Sequence, residues 1–243
     1  MSVNPSDARV RVALVGIGRM GRAIDALADE RACEVVARLS HVDTVNGISR
    51  SQLNGADVAI EFTQPNSAVR NAVSILAAGC PVVIGTTGWN ESLAQIAQAV
   101  AANKTAALWA PNFSLGVQLF LEVVEDAARR WKQATGFDAH VVETHHRAKK
   151  DAPSGTAVAI AERLRDGLGH DVPITSVRTG FVPGTHEVIF DAPFEQVRLV
   201  HEARDRRVFA DGALVAARWL ARKDIAALYT MRDVIGANDT TRQ

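Results

Sequence analysis

Five short apolar runs mark the first half of the chain: Val10–Val15, Glu34–Leu39, Asp57–Phe62, Pro81–Ile84 and Ala106–Trp109. Each is too short for a buried helix and reads as a strand. Between the last three lie Asn66–Ala78 and Glu91–Ala102, where Ala, Val, Ile and Leu recur at helical spacing. An amphipathic stretch also follows Gly16–Gly21 as far as about Glu30. Short apolar strands separated by helices predict a parallel sheet covered on both faces.

The pattern changes after about Phe113. Leu115–Lys132 is helical, with Leu115, Leu119, Val123 and Ala127 on one stripe, and Asp138–Glu143 is a strand. Thr156–Leu168 is the next helix. Then come the strand-like runs Thr175–Thr179, His186–Asp191, Gln196–Glu202 and Arg207–Phe209, with no helical pattern between them. Val182-Pro183-Gly184-Thr185 has turn chemistry and is expected to join the first two of these as a hairpin. Gly212–Arg222 is a last helix, before a polar tail at Asn238–Gln243. The expected fold class is therefore α/β: a parallel-sheet domain followed by an α+β domain with an open, largely antiparallel sheet.

Length and composition narrow the function. A chain of 243 residues buries a sizeable core, and 47% apolar with 22% charged residues argues against extensive disorder. The formal charge is zero, so nothing draws the whole molecule to nucleic acid or an anionic membrane, and any basic site is local. Cys33 and Cys80 lie in unrelated surroundings and read as reduced, buried thiols. The first residues, MSVNPSDARV, lack an apolar segment, and no long apolar run occurs elsewhere; a cytoplasmic protein is expected.

Gly16-Ile17-Gly18-Arg19-Met20-Gly21 fits GxGxxG, with a strand before it, a helix after it and a second strand some twenty residues on. Such glycines let a pyrophosphate approach backbone N–H groups at a helix N-terminus; the bland alternative is a structural βα turn. The second strand ends at Ser40-His41, with no acid where the adenosine ribose would be held, although Asp43 is close. A missing carboxylate removes repulsion against a 2′-phosphate, which Arg19 or His41 could pair, so NADPH is expected at least to be accepted beside NADH. Gly85-Thr86-Thr87-Gly88 and Ala110-Pro111-Asn112-Phe113 follow two further strands, at the sheet edge where ligands of open parallel sheets lie.

Residues Glu143–Ala157, ETHHRAKKDAPSGTA, carry the densest chemistry. Two imidazoles (His145, His146) and three cations (Arg147, Lys149, Lys150) precede a helix start at Ser154-Gly155-Thr156. Metal ligation by the histidines lacks a companion Cys, HExxH or carboxylate pair and is not expected. A solvated basic loop is a second reading. The third joins the loop to the helix: Ser caps it, Gly admits an anion to its N–H groups, Lys149 or Lys150 adds charge, and His145 holds a proton near neutral pH.

Together these residues resemble the dihydrodipicolinate reductase family of the diaminopimelate route to lysine, which carries E-x-H-H-x-x-K-x-D-A-P-S-G-T-A. Further matches are GxGRMGR at Gly16–Arg22, IxFTxP at Ile60–Pro65, GTTG at Gly85–Gly88, PNFSxGV at Pro111–Val117, VPGxHEVxF at Val182–Phe190, FADGA at Phe209–Ala213 and MRDV at Met231–Val234. The resemblance implies an N-terminal Rossmann domain (residues 1–113, with 231–243 returning to it) and a substrate domain (114–230) whose open sheet builds a homotetramer. It implies His145 as acid/base, Lys149 as proton donor, and His146, Gly155 and Thr156 on the substrate carboxylate. It also implies cofactor contacts at Gly16–Gly21, Gly85–Thr87 and Ala110–Phe113. Two departures, a shorter Gly loop and Ser40 in place of an acid, bear on cofactor preference. A dehydrogenase of another small carboxylate and a non-catalytic nucleotide-sensing module are the competing functions. A covalent aldehyde route is disfavoured, because no cysteine lies in the second domain.

Overall fold

The computed structural model describes residues 9–236, which divide into two compact units. The first comprises residues up to Ser114 and resumes at Arg207; the second is Leu115–Arg206.

In the first unit six strands form one parallel sheet in the order β10-β5-β4-β3-β1-β2. They are β1 (Val10–Val15), β2 (Cys33–Leu39), β3 (Val58–Glu61), β4 (Val82–Ile84), β5 (Ala107–Trp109) and β10 (Leu228–Tyr229). Their near-continuous apolar character is what a sheet buried on both faces requires. Four α-helices of the unit are α1 (Arg19–Leu27), α2 (His41–Thr44), α3 (Pro65–Ala77) and α4 (Leu93–Asn103). Pro65 opens α3 at a position where its missing N–H costs nothing. Ile75, Leu76, Ile84, Ile96 and Leu53 pack one core of this unit. Strand order reverses beside β1, which pairs with β2 on one side and β3 on the other, so the topological switch point lies at its carboxyl end.

The chain returns to this unit at Arg207, earlier than the expected residue 231, through α7 (Arg207–Leu220), which contacts α1, β3 and β4. The expected strand Arg207–Phe209 is the first turn of that helix. Three residues are too few for periodicity to separate strand from helix, and the buried small residues Ala210, Gly212, Ala213, Ala216 and Ala217 decide it. A Cβ at Gly212 would collide with the Phe113 carbonyl, so α7 passes the end of β5 in backbone contact. The helix α8 (Met231–Val234) ends the described fold, and residues 237–243, including the polar tail, lie outside the described residues.

The second unit has a four-stranded mixed sheet, β7-β6-β8-β9, built from β6 (Asp138–His145), β7 (Ile174–Arg178), β8 (Thr185–Ala192) and β9 (Glu195–Glu202). The helices α5 (Leu115–Trp131) and α6 (Gly155–Leu168) pack on one face through Val124, Ala128, Ile160, Leu164, Val141 and Val188. On the other face Val177 and Val200 are exposed. The expected hairpin across Val182–Thr185 is replaced by a longer path. β7 pairs parallel with β6, and β8 lies on the far side of β6 in antiparallel pairing. A strand, a helix and a strand in succession (β6, α6, β7) make a crossover, which produces parallel neighbours.

Candidate active site

At the carboxyl edge of the first sheet the three motif glycines have three different jobs. Gly16 has φ +96°, and a Cβ there would collide with the Phe62 carbonyl at the end of β3. A Cβ at Gly21 would collide with the Gly16 carbonyl, so the third glycine lets α1 approach its own turn. Gly18, by contrast, faces open space, and α1 begins at the next residue. The turn is tight where protein meets protein and empty where a pyrophosphate would sit, so these residues fit a bound dinucleotide. Ile17 and Arg19 are exposed and Met20 is half-buried.

The neighbouring strand ends hold the expected cofactor residues in different ways. Ser40 caps α2, and Asp43 folds back to accept from both its N–H (2.7 Å) and its hydroxyl (2.6 Å). An acid therefore does stand at the end of β2, supplied by Asp43 three residues on. Arg38 is held by Asp25 through two bonds of 2.7 and 2.8 Å, and His41 is exposed. After β4, a Cβ at Gly85 would collide with the Phe62 ring. The Thr86 hydroxyl turns inward to accept from the Thr63 N–H at 2.8 Å, and Thr87 is exposed. Beside it Glu61 is fully buried; burial raises its carboxyl above the usual range, against hydrogen bonds from Thr63. After β5, Ala110 and Phe113 are buried, Pro111 is exposed, and Asn112 Oδ1 accepts from the Ser114 N–H at 2.8 Å. Cys33 and Cys80 both belong to this unit, and burial pushes the Cys80 thiol up to about 11.

The second unit gathers the basic motif at the end of β6. The strand runs two residues further than expected, so His145 is its last residue and not part of the loop. His145 Nδ1 is hydrogen-bonded to Glu143 Oε2. Arg178, opposite His145 in the β6/β7 register, donates to Glu143 Oε2 at 3.0 Å and Oε1 at 2.6 Å. The Ser154 N–H donates to Oε1 at 3.2 Å. Burial alone would raise the Glu143 carboxyl; its bonds from Arg178, Ser176 and His145 bring it down to about 2. Burial lowers the His145 pKa, with Glu143 opposing and Lys149 and Arg178 reinforcing. The Glu143 carboxylate can only accept, so Nδ1 carries the hydrogen of their bond.

Lys149 is half-buried and bonded to both Asp151 oxygens at 2.9 Å. The Ser154 hydroxyl caps α6 by accepting from the Ala157 N–H at 3.2 Å and lies 3.3 Å from His186 Nε2. Burial, with His145 and His201 nearby, pushes His186 down to about 4. A Cβ at Gly155 would meet nothing, so the first turn of α6 opens onto free space. Thr156 is half-buried beside it, and the His146 N–H donates to Val182 O at 2.8 Å. Arg147 and Lys150 are exposed. Sequence reasoning does not single out Arg178 or His186. Both sit at core-facing strand positions where alternation calls for an apolar residue, and that mismatch is the signal that could have found them.

A dinucleotide cradle at a switch point and a separate imidazole–ammonium site are the two halves of a nicotinamide-dependent oxidoreductase. Comparison with known proteins agrees. Residues 10–113 match the family description "Dihydrodipicolinate reductase, N-terminus" and residues 116–235 match "Dihydrodipicolinate reductase, C-terminus". The chain belongs to the dihydrodipicolinate reductase family. It is 38% identical to the 4-hydroxy-tetrahydrodipicolinate reductase of Rhodopseudomonas palustris (strain BisB18), covering 96% of this chain and 99% of that one. It is 33% identical to the enzyme of the same name from Christiangramia forsetii, covering 93% and 98%. Its fold is similar to a dipicolinate-bound dihydrodipicolinate reductase from Paenisporosarcina sp. TG-14, with TM-score 0.75, 25% identity and coverage of 91% and 97%.

Proposed function

We infer that the protein reduces 4-hydroxy-tetrahydrodipicolinate, its hydroxyl leaving as water, or the dihydrodipicolinate-type imine formed by that loss, to tetrahydrodipicolinate with NADH or NADPH. The observation that carries the reading is His145, oriented by Glu143 and set beside Lys149 and the open N-terminus of α6. Reduced nicotinamide, when bound, supplies the hydride. Gly16–Gly21 would hold its pyrophosphate, and Gly85–Thr87 and Ala110–Phe113 would line its nicotinamide end. A substrate carboxylate at Gly155 and Thr156 gains the first N–H groups of α6 and the favourable end of its dipole. His146 completes that pocket. Hydride addition to a conjugated cyclic imine leaves electron density that must be protonated; Lys149 donates that proton, and the neighbouring His145 ring steadies the charge and exchanges the proton.

No helix among the described residues is long and apolar enough to cross a membrane, and a cytoplasmic setting suits a biosynthetic reductase. The exposed Val177 and Val200 on the uncovered sheet face support assembly through that face into a homotetramer. Purified protein supplied with freshly generated substrate should oxidise NADH or NADPH, followed by absorbance. Absence of turnover with both cofactors would overturn the reading.

A further inference from the structure

Glu143 is fully buried and yet charged. An isolated carboxylate inside a protein is costly, and a packed apolar residue would serve stability as well. What a carboxylate adds here is two oxygens in a fixed relation. Oε2 holds His145 Nδ1 and Oε1 holds the Ser154 N–H at 3.2 Å, while Arg178 bridges both. Ser154 is the N-cap of α6. One rigid group therefore ties the imidazole to the helix start.

We propose that Glu143 is the positioning residue of the reaction inferred above, fixing the His145 tautomer with one oxygen and the anion-receiving turn of α6 with the other. With Nδ1–H engaged, Nε2 is the nitrogen left for chemistry. A Cβ at Gly184 would stand 2.9 Å from Nε2, so glycine keeps that nitrogen uncovered. The charged and titratable groups around the ring are Glu143 on its own strand, Arg178 on β7, Lys149 in the following loop and His186 on β8, whose ring centroid is 5.2 Å away. Asp151 is paired with Lys149, so Glu143 is the anion bonded directly to the ring. Without it, burial with Arg178 and Lys149 nearby would disfavour the imidazolium further, and the Nδ1 hydrogen would lose its acceptor.

The proposal rests on the reductase reading, and the test separates the two. Imidazole 15N shifts of the unaltered chain, labelled at histidine and measured near pH 8, should give His145 with Nδ1 protonated and Nε2 bare. The opposite tautomer overturns the positioning role whatever the enzyme turns over. Glu143→Gln should lower kcat at least about 10-fold with cofactor Kd within about twofold, and Glu143→Asp should recover part of the loss. The same variant should move the His145 titration to lower pH. On a His145→Ala background, Glu143→Gln should cost little more, because residues acting as a unit are non-additive. Undiminished kcat in Glu143→Gln, or full multiplication of the two losses, would overturn the proposal. If the unaltered chain turns over no dicarboxylate, the functional reading fails and the tautomer alone decides the positioning claim.

Discussion

Gly21 stands directly against the carbonyl of Gly16, with no room for a Cβ between them, whereas Gly18 midway along the same turn faces open space. Two of the glycines thus serve the fold and one is left for a ligand. Gly21→Ala should lower stability by about 1–3 kcal/mol, the range for overpacking a tight contact. Gly18→Ala should leave the melting temperature nearly unchanged and weaken dinucleotide affinity. Thermal unfolding and a fluorescence titration with NADH on both variants check the contrast.

Gly155 offers the matching test in the second unit. Its Cβ position is empty, so Gly155→Ala should fold normally while the added methyl crowds the substrate carboxylate. KM for the dicarboxylate should rise at least about 10-fold with the melting temperature unmoved, a loss of some 1.4 kcal/mol in binding. A fall in stability without a change in KM would place the substrate elsewhere.

Lys149 is assigned the proton. Lys149→Gln should reduce kcat by about 10²–10⁴-fold, the usual contribution of a positioned acid, while NADH or NADPH affinity is unchanged. Stopped-flow turnover beside equilibrium cofactor binding separates the two quantities.

Cofactor choice is predicted to respond to Asp43. Its carboxylate, hydrogen-bonded to the Ser40 N–H and hydroxyl, puts a negative charge at the end of β2, and Arg38 is committed to Asp25. Asp43→Asn should therefore raise kcat/KM for NADPH relative to NADH, by about 10-fold if the charge acts directly on a 2′-phosphate. Steady-state kinetics with both cofactors give the ratio.

Acid should weaken the second unit in two stages. His186 is held neutral, its pKa pushed from 6.5 to about 4, so the unfolded chain binds more protons between those values. Its contribution is complete above pH 6.5 and is lost as pH falls to about 4, on the order of 3 kcal/mol. Glu143, lowered from 4.5 to about 2, adds stability above pH 4.5 that disappears as pH drops towards 2. Glu61 in the first unit works the other way, since its raised pKa favours the fold at low pH and that gain is lost as pH rises above 4.5. Urea unfolding from pH 7 to pH 3, with His186→Gln as the comparison, should show the first stage removed in the variant.

Strands and helices were legible in the sequence wherever apolar spacing persisted through several residues, as in β1 and α3. The segment α5 is a helix as expected, but its buried face runs through Val117, Leu121, Val124 and Ala128, and Leu119 and Val123 of the expected stripe are exposed. Pairing was not, because the partner of a strand is not a local property. Val182-Pro183-Gly184-Thr185 has the residues of a turn, and nothing local shows that β6 lies between the strands it separates. The histidine motif was legible because its members are contiguous. Arg178 comes 35 residues after Glu143 and reaches it only through the parallel pairing of β6 and β7. Asp43 is visible in the sequence, but the capping turn that carries it back to Ser40 is a feature of three dimensions.

The departure of the chain at Ser114 and its return at Arg207 make the second unit an insertion within the first. During synthesis the nucleotide half must wait: its edge strand β10 and the small-residue helix α7 emerge only after the whole inserted half has left the ribosome. Cutting the gene at the apparent boundary near residue 114 would release a sheet short of one strand and stripped of one helical cover, prone to self-association. An isolated nucleotide half needs a short linker from 114 to 207 instead.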